Sequence, residues 1–318
     1  MLRFIILFFV FIGIAHGKVF KKTDIIDLKS AITEIRLKDG KLYASVELGK
    51  IFVLNLENKK IEKVIKFPDI ENYFGEKLQP KVFSIDICDN GNITAIVEGS
   101  DGTRELKFVT VNNGEIHTII PGKSRISMTK VRFVDKNHVI AATTGDEILL
   151  ISLKDKNILY RKSVGMSTFS DMEINEDKTV VAVGDESGDV HIADVKTGDL
   201  IKDLTGINVD RLFNVDFRNG KVASGGRDRR VAVYDLKTGK GKRFDGEFLV
   251  FGLGLSPSAR YVAYLYNDKN DVAVVNVDTG SRVDMLTGHD YTVSVILFLD
   301  EDSIVVGCDD GKIFFWRR

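Results

Sequence analysis

Residues 194–198 read DVKTG, and the phrase returns as DLKTG at 235–239 and NVDTG at 276–280, 41 residues later each time. Each copy follows an alternating apolar run (VHIA, VAVY, VAVV). Alternation by two is the pattern of a half-buried strand, so the phrase marks a strand entering a tight turn. In that turn Gly198, Gly239 and Gly280 supply the positive φ that other residues resist. A fixed period of this length constrains the fold more than any other feature of the chain, because it requires a stack of like units.

Taking the residue before each turn as a marker, Asp194, Asp235 and Asn276 extend backwards to Ser152, Thr110 and Asn55, and forwards to Arg317. The intervals are 55, 42, 42, 41, 41 and 41 residues, so seven units fill the chain. Each begins with an inner strand such as LFNVDF (212–217), then a second apolar strand such as TVVAVG (179–184), then the marker strand and a more polar fourth. Helical solenoids of this period need apolar spacings of three and four, which these segments lack. Four short antiparallel strands per unit predict an all-β fold, a seven-bladed β-propeller of four-stranded blades. Arg318 leaves the seventh blade without its fourth strand, while VFKKTDIIDL (19–28) stands unused before the first. Pairing the two closes the ring and removes an exposed sheet edge.

The first 17 residues, MLRFIILFFVFIGIAHG, have a different character: one Arg, an apolar run from Phe4 to Ala15, then a small-x-small site at Ala15-His16-Gly17. This is the pattern of a secretory signal peptide, and the run is short for a ~20-residue membrane span. The expected organisation is therefore a leader over 1–17 and a propeller over 18–318, periplasmic or secreted, with no stable membrane insertion after cleavage. A net charge of −1 argues against a nucleic-acid binder, which carries a basic excess. Cys88 and Cys308 fit no metal motif. They fall in blades two and seven near opposite faces, so they are expected to stay unpaired.

The last unit, TGHDYTVSVILFLDEDSIVVGCDDGKIFFW, contains Gly288-His289, an Asp-Gly turn at Asp310-Gly311, and Trp316 ending the marker strand. These residues resemble a WD-repeat blade. The resemblance implies a structural hydrogen-bond network of His289, Asp310 and Trp316, with Val306 standing where that family has a hydroxyl. The fifth blade keeps Ser224 and Asp228 of the same set, with Tyr234 for Trp and Ile207 for His. Because the chain also carries an export leader, it is similar to the accessory propeller found beside periplasmic nitrate reductase. That likeness implies an accessory role for a respiratory metalloenzyme.

Candidate chemistry is sparse. His117, His138, His191 and His289 fall in different blades at non-equivalent positions, so no metal site is expected from them. No nucleophile motif or phosphate-cradling glycine loop occurs. The turns between second and third strands share one face with those joining consecutive blades. That face carries Glu98, Asp101, Asp185, Glu186, Asp189, Asp268, Asp271, Asp309 and Asp310, interrupted by Arg211, Arg227, Arg229 and Arg230. The 55-residue interval adds FPDIENYFGEKLQPK (67–81) there, read either as a contact loop presenting Phe67, Tyr73 and Phe74 or as a short helical cap.

Inner-strand alternation places Arg36, Asp86, Arg132, Glu173 and Asp216 at one equivalent position, and Glu34, Ser84, Lys130, Asp171 and Asn214 two residues earlier. Both positions are uncharged in the last two blades, at Gly252 and Gly254, then Val295 and Leu297. Two polar rings lining a wet channel are expected, with Arg36, Asp86, Arg132 and Glu173 alternating in sign from blade to blade. These charges either neutralise one another where the blades converge or bind a small polar ligand beside a glycine-lined gap. The expected function is a non-catalytic, monomeric protein-interaction scaffold that needs no cofactor. The alternative is an enzyme or a cofactor- or small-ligand-binding protein using the central channel. Carbohydrate binding is a third reading, weakened by a single Trp.

Overall fold

A computed structural model describes residues 19–318, so the expected leader over 1–17 and its expected cleavage site lie outside the described residues. Seven four-stranded antiparallel sheets form the chain, six of them pairing four consecutive strands in chain order. The innermost strands are Ile32–Lys38, Val82–Ile87, Met128–Phe133, Phe169–Ile174, Leu212–Arg218, Leu253–Leu255 and Val293–Asp300. Each touches the innermost strands of both neighbouring blades, and that of blade seven touches that of blade one. The chain is a seven-bladed β-propeller.

The repeated phrase builds the same corner three times. Gly198, Gly239 and Gly280 take φ of 73°, 70° and 73°. Their amides return to the carbonyls of Asp194, Asp235 and Asn276 at 2.8, 2.8 and 2.9 Å. The side chains of those same three residues accept the amides of Thr197, Thr238 and Thr279 at 2.8, 2.8 and 3.0 Å. The phrase begins with Asp or Asn because the turn needs that acceptor.

The core lies between blades. Ala182, Val190 and Ile192 of blade four pack with Leu212, Val215 and Phe217 of blade five, and the pattern recurs round the ring. A single blade cannot bury both faces, so the repeats stabilise one another. Lys21–Asp27 pairs antiparallel with Lys312–Arg317, supplying the seventh blade's fourth strand from the other end of the described chain. No helix among the described residues is long and apolar enough to cross a membrane.

The insertion over 67–81 is not a helical cap. Ile70–Glu71 pairs with Lys77–Leu78 in a small hairpin. Asn72 Oδ1 accepts the amides of Phe74 and Glu76 at 3.0 and 2.9 Å, and Gly75 has φ 78°. That Asx-type closure makes the turn locally self-sufficient.

Candidate functional site

The inner edge of each sheet faces the axis with no further strand beside it, so its amides need acceptors from elsewhere. The polar inner residues provide them. Glu34 accepts from the Ile85 amide at 2.7 Å, Asp86 from Phe133 at 2.7 Å, Asp171 from Val215 at 2.9 Å and Asp216 from Leu255 at 2.8 Å. Ser84 and Asn214 accept the amides of Val131 and Leu253 at 3.2 and 3.3 Å. In every case the acceptor belongs to one blade and the amide to the next. The sequence predicted polar walls; it did not reveal that they stitch blade to blade.

Four cations bind these anions together. Arg36 reaches Asp86 at 3.2 Å and Glu173 at 2.8 Å. Lys130 reaches Glu34 at 3.2 Å and Asp171 at 2.8 Å. Arg132 reaches Glu34 at 2.6 Å and Glu173 at 2.9 Å, and its side chain is 2% exposed. Arg218 lies 3.7 Å from Asp216. Burial alone would raise the Glu34 carboxyl, but Arg132, Lys130 and Arg36 overcome it and hold the group at about 2. Glu173 is held well below the usual carboxylate range against the same penalty, chiefly by Arg132 and Arg36.

The ring charges thus neutralise one another, through neighbour pairs such as Arg36–Asp86, Lys130–Asp171 and Arg132–Glu173 and through pairs of Arg36, Lys130 and Arg132 that cross between non-adjacent blades. A cavity of about 80 Å³ remains among Glu34, Arg36, Lys130, Arg132, Asp171, Glu173 and Asp216. That is room for a few waters rather than a substrate. Asp86 lies with Arg36 and Glu173 in a larger cavity of about 290 Å³ on the opposite side. The expected glycine-lined gap is also closed. A Cβ on Gly254 would lie 2.5 Å from the Ile296 carbonyl oxygen, and one on Gly252 would lie 3.1 Å from that of Val293. These glycines let the inner strands of blades six and seven approach backbone to backbone.

The rim face separates the remaining candidates. Tyr73 and Phe74 stand at the hairpin tip, 87% and 83% exposed, with ring centroids 5.6 Å apart edge to face. Phe67, expected beside them, is 1% exposed and packs with Ile65 and Val82 between blades one and two, because its chain still follows the first blade's outer strand. Arg211, Arg227 and Arg229 are exposed. Arg211 pairs with Glu186 at 3.2 Å and Arg227 with Asp210 at 3.8 Å. Arg230 is half-buried and donates to the Ile207 carbonyl at 2.9 Å, so it serves its own blade. Asp185, expected on the acidic rim, is buried.

The blade networks implied by the resemblance are rearranged. In blade five, Ser224 donates to Asn208 at 2.8 Å, and Asn208 donates to Asp228 at 3.2 Å. Asn208, one residue after Ile207, fills the role expected of a histidine. In blade seven His289 bonds the Asn270 carbonyl of blade six through Nδ1 at 2.9 Å and leaves Nε2 without a partner. Asp310 accepts the Lys312 amide at 3.0 Å instead, and Trp316 Nε1 has no partner. With Val306 at the hydroxyl position there is no group to relay a bond, and His289 serves as an aromatic neighbour of Phe314 and Trp316, with centroids at 4.8 and 5.6 Å.

One further polar cluster carries no signal among the histidines alone, because a single histidine meets carboxylates from two blades. Asp146 of blade three, with Asp185 and His191 of blade four, brings one donor atom each within 4.8 Å of the others. His191 Nε2 lies 3.2 Å from Asp185 Oδ2 and 3.8 Å from Asp146 Oδ2, while Nδ1 bonds Asp203 at 2.6 Å. Burial works against charge on the ring, but the bonds to Asp185 and Asp203 and the charge of Asp146 outweigh it and raise His191 to about 9. Burial also drives the Asp146 carboxyl up to about 6.

Comparison with known proteins adds little to this geometry. No known family profile matches the chain. The Restriction of telomere capping protein 1 of Lodderomyces elongisporus is 21% identical over 288 residues, a match covering 80% of this chain. The match spans 24% of that protein's length, about a quarter, and at this identity it does not place the chain in a family.

Proposed function

We propose that this propeller is a non-catalytic interaction scaffold that docks a protein partner on its rim face. The observation that carries the reading is an asymmetry of exposed apolar side chains. Leu48, Tyr73, Phe74, Met166, Val209 and Tyr291 are the large exposed hydrophobics in the turns between strands, and all six lie on the face shared by the blade-to-blade connections. The turns of the opposite face carry none among the described residues. Apolar and aromatic side chains gathered on one face, rimmed by charge, are what a contact surface needs. Arg211, Arg227 and Arg229 add a basic sector that favours one orientation of an acidic partner.

The finer reading is a periplasmic accessory factor for a respiratory metalloenzyme such as nitrate reductase. It rests on the leader and the sequence resemblance, and no compared protein supports it. Mass analysis of the native chain is expected to find Lys18 at the N-terminus. Use of the channel for a small ligand is disfavoured because its wall charges are already engaged with one another.

Site-specific photo-crosslinking in the native host tests the surface. A benzophenone side chain replacing Tyr73 or Arg227 is expected to trap a partner, whereas one replacing Lys196, in a turn of the opposite face, is not. Equal trapping from both faces, or trapping from Lys196 alone, overturns the assignment.

A further inference from the structure

The group formed by Asp146, Asp185 and His191 has a charge problem that its own atoms do not solve. Ser187 holds the other oxygen of Asp185 through its hydroxyl at 2.6 Å and its amide at 2.8 Å, which leaves Oδ2 facing His191. Asp203 on Nδ1 fixes the ring so that Nε2 points at the two aspartates. A proton on Nε2 can bond Asp185, but it cannot also satisfy Asp146. That side chain is 0% exposed, and neither of its oxygens has a hydrogen-bond partner. A buried carboxylate left this way is destabilising unless a cation meets it.

We propose that Asp146, Asp185 and His191 form a binding site for one divalent first-row transition ion, of the zinc class, wedged between blades three and four. Donors about 2.0–2.1 Å from a tetrahedral ion lie roughly 3.3 Å apart, close to the 3.2 and 3.8 Å separations from Nε2. The carboxylate on the far ring nitrogen is the usual outer support of a metal-bound histidine. A double positive charge offsets Asp146 and Asp185 together, which one proton cannot do. Gly165, in the connection between the two blades, keeps the space open. A Cβ there would fall 1.9 Å from Asp146 Oδ2 and 2.6 Å from His191 Nε2. Three protein donors leave a fourth position for water or for a group from a partner. Asp146 comes from one blade and its co-ligands from the next, so the ion acts as an interblade clamp.

The test is zinc titration of the purified full chain after chelator treatment and dialysis, by calorimetry with elemental analysis of the retained metal. One Zn²⁺ per chain is expected, with a raised melting temperature. Asp146→Asn and His191→Ala are each expected to weaken Zn²⁺ binding more than a hundredfold. Asp203→Asn, acting through the ring, is expected to weaken it about 10–100-fold. Asp146→Asn keeps the side-chain shape, and the metal-free variant is expected to melt no lower than the metal-free parent. Failure of the parent to retain stoichiometric zinc overturns the proposal, as does equal retention by parent and Asp146→Asn. A metal-free Asp146→Asn chain that melts well below the metal-free parent overturns it too, because the aspartate then serves as an ion-pair partner of protonated His191.

Discussion

Arg132 Nη2 and Glu34 Oε1 meet at 2.6 Å although 98 positions separate them in the chain and blade two stands between their blades. The same guanidinium bonds both oxygens of Glu173 at 2.9 and 3.0 Å. One side chain therefore ties blades one, three and four at the axis. Arg132→Ala leaves Glu34 and Glu173 buried with less compensation. A loss of about 3–5 kcal/mol is expected in denaturant unfolding, with part of it recovered when Glu34→Gln is added. An unchanged midpoint would show that the axial charges do not depend on one another.

Acid should weaken the same cluster. Glu34 sits at about 2 in the folded chain against an ordinary 4.5. A carboxyl with a depressed folded value contributes stability that is fully present above its unfolded value and is lost as pH falls through the folded one. The contribution, on the order of 3 kcal/mol, should disappear between about pH 4.5 and 2. Unfolding free energies across that window are expected to fall steeply in the parent and less steeply in Glu34→Gln.

Ring closure depends on the strand Lys21–Asp27. Phe20 is buried in the seam between blades six and seven, and Leu28 in that between seven and one. Removing residues 18–28 uncovers the edge Lys312–Arg317 along its whole length. Aggregation, or a large drop in melting temperature, is the expected result by light scattering and calorimetry. A monomeric truncation of parental stability would mean that the closing strand is dispensable.

The two cysteines are free and buried, as their separation in the ring predicts. Burial pushes the Cys308 thiol up to about 12 and raises Cys88 as well. Thiolate is the reactive form, so both should react slowly in the folded protein. Titration with a thiol reagent is expected to count two groups in denaturant and to proceed far more slowly without it. A count of zero would reveal a crosslink incompatible with this ring.

Local information was enough for much of the architecture. The 41-residue recurrence of Asp or Asn with Gly four residues on specified the turns, because each turn is closed by bonds within five residues. Period-two alternation gave the four strands of each blade, and the unmatched strands at the two ends gave the closure. The polar inner residues were legible for the same reason. Nothing local, however, says which cation meets which anion across the axis, and pairs between non-adjacent blades, such as Arg132–Glu34 and Arg36–Glu173, join the pairs between neighbours. Phe67 read as a loop aromatic but is buried, since burial depends on what the next blade places over it. Asn208 replaces the expected histidine because a turn's path, not its register in the repeat, decides which side chain reaches Ser224. Asp146, Asp185 and His191 carry no spacing motif. They lie 39 and 6 positions apart in sequence order, and only the packing of blade three against blade four brings them together. Sequence determined the strands and turns, whose forces act over a few residues; tertiary structure decided the charge pairing and the buried site, whose forces act through space.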